Sequence, residues 1–154
     1  MASEARPALS SAIVWRFKAA TAVALLGWAV LAFVTPWLPD GTAVGRGLVM
    51  AAVAVVCVLY ADLLVRALRT RRAPGSDRPG FTTVRGVLAL LSSPVAALAA
   101  WVHILAFDLA VAAHLHGEAL RLGVPHPVML PIYALTLMFG PLGYLAFLAL
   151  ASFY

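Results

Sequence analysis

The chain has 154 residues, 64% of them hydrophobic and 11% charged, with a formal net charge of +5. Soluble domains are about 45–50% apolar and about 25% charged, so this balance excludes an ordinary soluble enzyme and implies an integral membrane protein. The basic residues stand beside apolar runs, where they report topology; no nucleic-acid partner is expected.

Met1 to Ser11 read as a polar tail. Arg16 and Lys18 then introduce an apolar run from Ala19 to Val34. A secretory signal has an apolar region of about 7–15 residues and a small-residue cleavage site. This run is longer and ends in Thr35, Pro36 and Trp37, so it reads as a retained first span, Lys18–Leu38, with Trp37 as an interfacial anchor. Pro36, Pro39, Asp40 and Gly41 predict a turn. The second span, Gly47–Leu64, contains the single cysteine, Cys57. One cysteine permits no intramolecular disulfide and suggests no thiolate metal site. Arg66, Arg69, Arg71 and Arg72 follow, and Asp62 is spaced to pair with Arg66 on one helix face.

Ala73 to Gly80 is a loop of turn-forming residues. Phe81 to Ser93 fits either a short interfacial helix or the entry to the third span, with Ser92, Ser93 and Pro94 marking a break or helix start. The third span is Val95–Leu115, and Gly117 to Pro127 is a polar loop. The fourth span, Val128–Leu150, contains Pro131, Gly140, Pro141 and Gly143. Such residues are tolerated in a membrane helix when neighbours satisfy the freed backbone groups. Pro141 is expected to kink this span beside the third. Gly140, Gly143 and the alanines of the third span offer small surfaces for close helix approach.

The expected fold is all-α, an integral membrane four-helix bundle forming one domain over residues 1–154. Of the 11 Lys and Arg residues, all but Arg46 and Arg121 fall on one side of these spans. Both termini are therefore expected in the cytoplasm. The Ala- and Arg-rich composition points to a bacterial cytoplasmic (inner) membrane.

The third span carries His103 and Asp108. A charged carboxylate at the centre of a membrane helix costs at least about 2.5–3.5 kcal/mol, so such a residue marks a functional or packing-critical site. The span places His103 near the bilayer centre and Asp108 about 7.5 Å further toward the outer face, pointing about 140° away. His103, Phe107 and His114 share a face. In low polarity a carboxyl favours its neutral form, which can donate as well as accept. For each residue a hydrogen bond to another span competes with a chemical role.

No metal site is assigned. His103 and His114 lie about 16 Å apart along the axis, too far for one ion. His114 and Glu118 have workable ligand spacing, and His116 and His126 fall at the same membrane surface. Solvated loop histidines are the plainer account of these. No haem-attachment motif or other cofactor motif is present.

The run WVHILAFDL (Trp101 to Leu109), PH (Pro125, His126), LP (Leu130, Pro131) and LTLMFGPLG (Leu135 to Gly143) together resemble the abscisic acid-deficient-four-like family of small four-span membrane proteins. Upstream, GW (Gly27, Trp28), LY (Leu59, Tyr60) and GFTTVRGVLALLSSP (Gly80 to Pro94) fit the same pattern. Plant members are required for neoxanthin synthesis from violaxanthin. The resemblance therefore implies carotenoid or related polyisoprenoid metabolism, with a carotenoid or other apolar lipid as partner. The implied step is an isomerisation in which an epoxide opens and a neighbouring proton leaves, giving an allene and an alcohol. It requires an acid and a base but no redox cofactor. His103 and Asp108 are the matching residues able to do this, Asp108 as acid and His103 as base, with the roles exchangeable. Trp101, Phe107, His114, Phe139, Gly140 and Pro141 are the implied substrate contacts. After Leu109 the family usually has an aromatic residue, then Val, Gly, Arg and another aromatic; here Ala110 to His114 read AVAAH. The alternative is a non-catalytic carotenoid- or lipid-binding subunit or assembly factor, and a homo-oligomer fits either reading.

Overall fold

The computed structural model describes residues 10–38, 43–69 and 80–154. The turn at Pro39 to Gly41, the loop from Ala73 and all but the end of the polar tail lie outside the described residues. All regular structure in the described residues is helical. Four helices are long and apolar enough to cross a membrane. They are α1 (Ser11–Ala29, continued to Trp37), α2 (Ala43–Arg69), α4 (Pro94–Leu122) and α5 (His126–Ala151). A short helix, α3 (Val84–Leu91), precedes α4. The chain is an integral membrane protein.

Helix α4 is the hub. It packs most extensively on α2, then on α5 and α1, and also on α3. Small side chains permit this. Ala20 and Ala24 of α1, and Ala99 and Ala106 of α4, are buried together with Val56 and Val102. Lipid tails are as apolar as these side chains, so close van der Waals packing, not exclusion from water, holds such helices together. Helix α5 rests chiefly on α4.

Phe81 to Ser93 resolves into a separate short helix. Thr83 caps it, its Oγ1 accepting a hydrogen bond from the Gly86 N–H at 3.1 Å. Ser92 and Ser93 then interrupt the chain before Pro94 opens α4 in its first turn. At the other end, Gly123 takes a left-handed conformation (φ 75°) and closes α4, a geometry that glycine adopts without steric cost.

Helix α4 runs seven residues past Leu115, where hydropathy alone ends the span. The sequence from Gly117 to Leu122 is helix, not loop. Asp108 is consequently the middle residue of α4, fourteen residues from either end, and His103 lies nearer its N-terminus.

Two prolines shape the remaining spans. After Ala29 the first span widens into a π-helical stretch, Val30–Val34, and then tightens into a 3₁₀ turn, Thr35–Trp37, that contains Pro36. In α5, Pro141 has no N–H to give Leu137 and its ring crowds that carbonyl. The helix breaks two residues earlier, at Phe139 (φ −145°, ψ 59°).

Candidate functional site

The kink in α5 lies against Asp108. Gly140 and Pro141 follow the break and, with Phe107, Asp108, Val111 and Tyr144, line a cavity of about 350 Å³ between α4 and α5. Gly140 is buried there. A Cβ at residue 140 would collide with Asp108 Oδ1 and lie 3.0 Å from Cγ. The half-buried Asp108 carboxyl makes no hydrogen bond to the protein among the described residues.

His103 opens elsewhere. It lines a cavity of about 430 Å³ with Tyr60 and Ala67 of α2, Phe81, Leu90 and Ala99. Its ring lies 5.3 Å from that of Tyr60 and stacks on Phe107 at 5.8 Å, centroid to centroid. Phe107 thus stands between the two polar residues, touching His103 and also lining the Asp108 cavity. No hydrogen bond joins them.

Of the other expected contacts, Phe107, Gly140 and Pro141 gather at Asp108. His114 is one cavity further along α4, with Glu118, Arg121 and Tyr144. Trp101 and Phe139 are exposed and line neither the Asp108 nor the His103 cavity.

A third polar group is not apparent from composition. His116 and Tyr133 are only 7% and 2% exposed, and His116 Nδ1 lies 2.7 Å from Tyr133 Oη. His126 packs beside both, with ring centroids 6.0 Å from His116 and 5.9 Å from Tyr133. Its Nε2 donates to the Ala32 carbonyl at 2.9 Å. In α geometry that carbonyl would take its hydrogen from residue 36, a proline without an N–H. His126 thus supplies a donor that Pro36 lacks, tying the π-helical stretch of the first span to α5. The expectation of solvated loop histidines is corrected: His116 is buried within α4, because the helix continues past Leu115. Among the described residues no three of His, Cys, Asp and Glu converge as a metal site. The signal for this group was Pro36 itself, which orphans a carbonyl four residues upstream.

At the opposite end of the molecule Asp62 accepts from Arg66 Nε at 2.8 Å, the pairing its spacing implies. It also pairs with Arg16 of α1. The second partner links α1 to α2 and has no local sequence signal.

The site is thus a carboxyl at the middle of α4, set against the kink of α5 among apolar helices. The family model described as ABA DEFICIENT 4-like matches residues 15–147. The chain belongs to this family. Membership and the apolar helices fit a membrane protein of carotenoid-related metabolism. Comparison with curated proteins and with solved structures finds no match.

Proposed function

We propose that this protein is a membrane enzyme acting on a carotenoid or a related polyisoprenoid, with Asp108 as its acid–base residue. The observation that carries the reading is the Asp108 carboxyl, which makes no hydrogen bond among the described residues and lines a cavity at the middle of α4. A carboxyl in that position is costly.

The chemistry is an epoxide-to-allene isomerisation. The neutral carboxyl gives its proton to the epoxide oxygen as the C–O bond breaks. The carboxylate then takes a proton from the neighbouring carbon, whose electron pair completes the allene. The product is an alcohol, the carboxyl is regenerated, and no electrons are gained or lost. One residue suffices for both transfers. His103 meets the same substrate only across Phe107, which makes it a second polar contact in preference to the base.

A second reading, a non-catalytic carotenoid-binding subunit, is favoured by the larger apolar cavity at His103, which has no carboxyl in its lining. In either case we place the N-terminus in the cytoplasm, on the asymmetry of Lys and Arg; the expectation that the C-terminus joins it is corrected, because after the kink α5 folds back beside the C-terminal half of α4, where Ala151 shares a cavity with Glu118 and Leu122. We take the membrane to be a bacterial cytoplasmic one, on composition alone. A homo-oligomer is compatible with the exposed apolar faces.

The test is pigment and lipid analysis of wild type beside Asp108→Asn in a carotenoid-producing host. A new isomer with wild type and none with the variant, both proteins being equally abundant, supports the enzyme. A carotenoid that co-purifies with both, with no new isomer, supports the binding subunit.

A further inference from the structure

The Asp108 cavity does not end at Tyr144. Tyr144 also lines a second cavity of about 460 Å³, whose walls include His114, Glu118 and Arg121 from α4 and Phe147 and Leu148 from α5. On α4 the lining positions of the two cavities include Asp108, Val111, Leu115, Glu118 and Leu122, at steps of three and four, with Phe107, His114 and Arg121 beside them. On α5 they include Gly140, Tyr144, Phe147 and Ala151, at the same steps, with Pro141 and Leu148 beside them. Residues so spaced form one face of a helix. The two cavities are therefore successive parts of a single groove between α4 and α5. From Asp108 to Arg121 it extends thirteen residues, about 20 Å at the α-helical rise.

The two ends differ. The inner end has the carboxyl of Asp108 among apolar walls. At the outer end Arg121 grips one oxygen of Glu118 with Nε at 3.0 Å and Nη2 at 2.7 Å. That pair is internally neutral, yet it keeps unused N–H groups and lone pairs for a ligand. A phosphate or carboxylate brought there would face Glu118. A hydroxyl would both donate and accept without adding charge.

We propose that this groove binds a single-chain isoprenoid amphiphile, its uncharged hydroxyl end at Glu118 and Arg121 and its hydrocarbon passing Tyr144 to Asp108. This rests on the reading of the Asp108 cavity as a ligand site, and adds the ligand's polarity, direction and length. A ligand so held presents to Asp108 a carbon about 20 Å from its hydroxyl.

The full chain in nanodiscs, with tritiated geranylgeraniol as probe, tests this by competition with geraniol, farnesol and unlabelled geranylgeraniol. Wild type is expected to prefer geranylgeraniol to geraniol by about tenfold or more, after correction for partition into protein-free nanodiscs. Gly140→Leu, which fills the inner end, removes most of that preference and leaves geraniol binding intact. Tyr144→Trp, at a position 40% exposed, is expected to do the same by narrowing the junction. Glu118→Ala with Arg121→Ala weakens every alcohol to a similar extent. A length preference that survives both Gly140→Leu and Tyr144→Trp overturns the groove. So does palmitate competing as well as the alcohols, or the absence of saturable alcohol binding. A new carotenoid isomer in the host without a length preference overturns the groove and spares the enzyme; a length preference without an isomer does the reverse.

Discussion

The carboxyl of Asp108 occupies the space that a side chain at residue 140 would fill. A Cβ on Gly140 would lie 3.0 Å from Asp108 Cγ and 3.5 Å from Oδ2, with Oδ1 closer still. The glycine and the carboxyl therefore define each other's place, and the kink at Phe139 brings them together.

Gly140→Ala is expected to displace the carboxyl without unfolding the protein. What the new methyl meets is the end of a side chain bordering a cavity, which can rotate away. The stability cost should fall at or below the lower end of the ~1–3 kcal/mol typical of overpacking. Product formation should fall by about tenfold or more, since a small misplacement of a reacting group costs up to about a hundredfold. Thermal denaturation in detergent, run beside pigment analysis, checks both halves. A variant with full activity would show that the position of the carboxyl does not matter.

Gly143→Ala makes the contrasting case. Its Cβ would collide with the backbone and Oγ1 of Thr136, seven residues back on the same helix. Residues seven apart touch in this way only because α5 is sharply bent. Thr136 is fully buried and its hydroxyl already donates to Ile132 O at 2.8 Å, so it has nowhere to go. The expected cost is about 1–3 kcal/mol or more, seen as a lower melting temperature and a reduced yield of folded protein. Equal melting temperatures for Gly140→Ala and Gly143→Ala would mean that the bend does not depend on this contact.

Much of the architecture was legible because hydropathy writes it directly. Long apolar runs, Pro94 and Pro141 announced the spans, the start of α4 and the kink. The pairing of Asp62 with Arg66 followed from helix spacing alone. The end of α4 was harder to read, since Gly117, Glu118 and Arg121 resemble a loop in composition. They remain helical because Glu118 and Arg121 pair one turn apart and Gly123 supplies the stop. The long-range partners Arg16 with Asp62, His116 with Tyr133, and His126 with Ala32 depend on how helices meet, which no local pattern encodes. For the site, the sequence singled out Asp108, Gly140 and Pro141. It also named His103 beside Asp108; helix geometry sets them about 140° apart, and each lines a different cavity.

Tyr133→Phe tests the buried histidine group. It removes the hydroxyl 2.7 Å from His116 Nδ1 and leaves a ring nitrogen of a 7% exposed histidine without that partner. An unsatisfied buried polar group costs about 1–3 kcal/mol. His126→Ala removes the donor to Ala32 O and should cost a similar amount, loosening the π-helical end of the first span. The two rings are in contact, so the double variant should fall short of the sum by about 0.5 kcal/mol or more. Melting curves of the three variants measure this coupling. Strict additivity would indicate two independent hydrogen bonds and no cooperative group.

The separation of His103 from Asp108 gives the sharpest test of mechanism. Two residues that act as one acid–base pair show grossly non-additive losses, because once either is gone the other has little left to contribute. Two residues in different cavities with independent roles show losses that multiply. The structure favours the second pattern, since Phe107 intervenes and the two side chains share no hydrogen bond. Asp108→Asn should abolish isomer formation. His103→Phe, which preserves ring contact with Tyr60 and Phe107, should reduce it by about tenfold or less and do so through weaker substrate binding. Asp108→Glu keeps the carboxyl but lengthens it toward Gly140, and retains a trace of turnover on which the His103→Phe effect can be measured. Multiplying losses in Asp108→Glu/His103→Phe support a single-carboxyl mechanism. A double variant no worse than Asp108→Glu alone would restore His103 as the base.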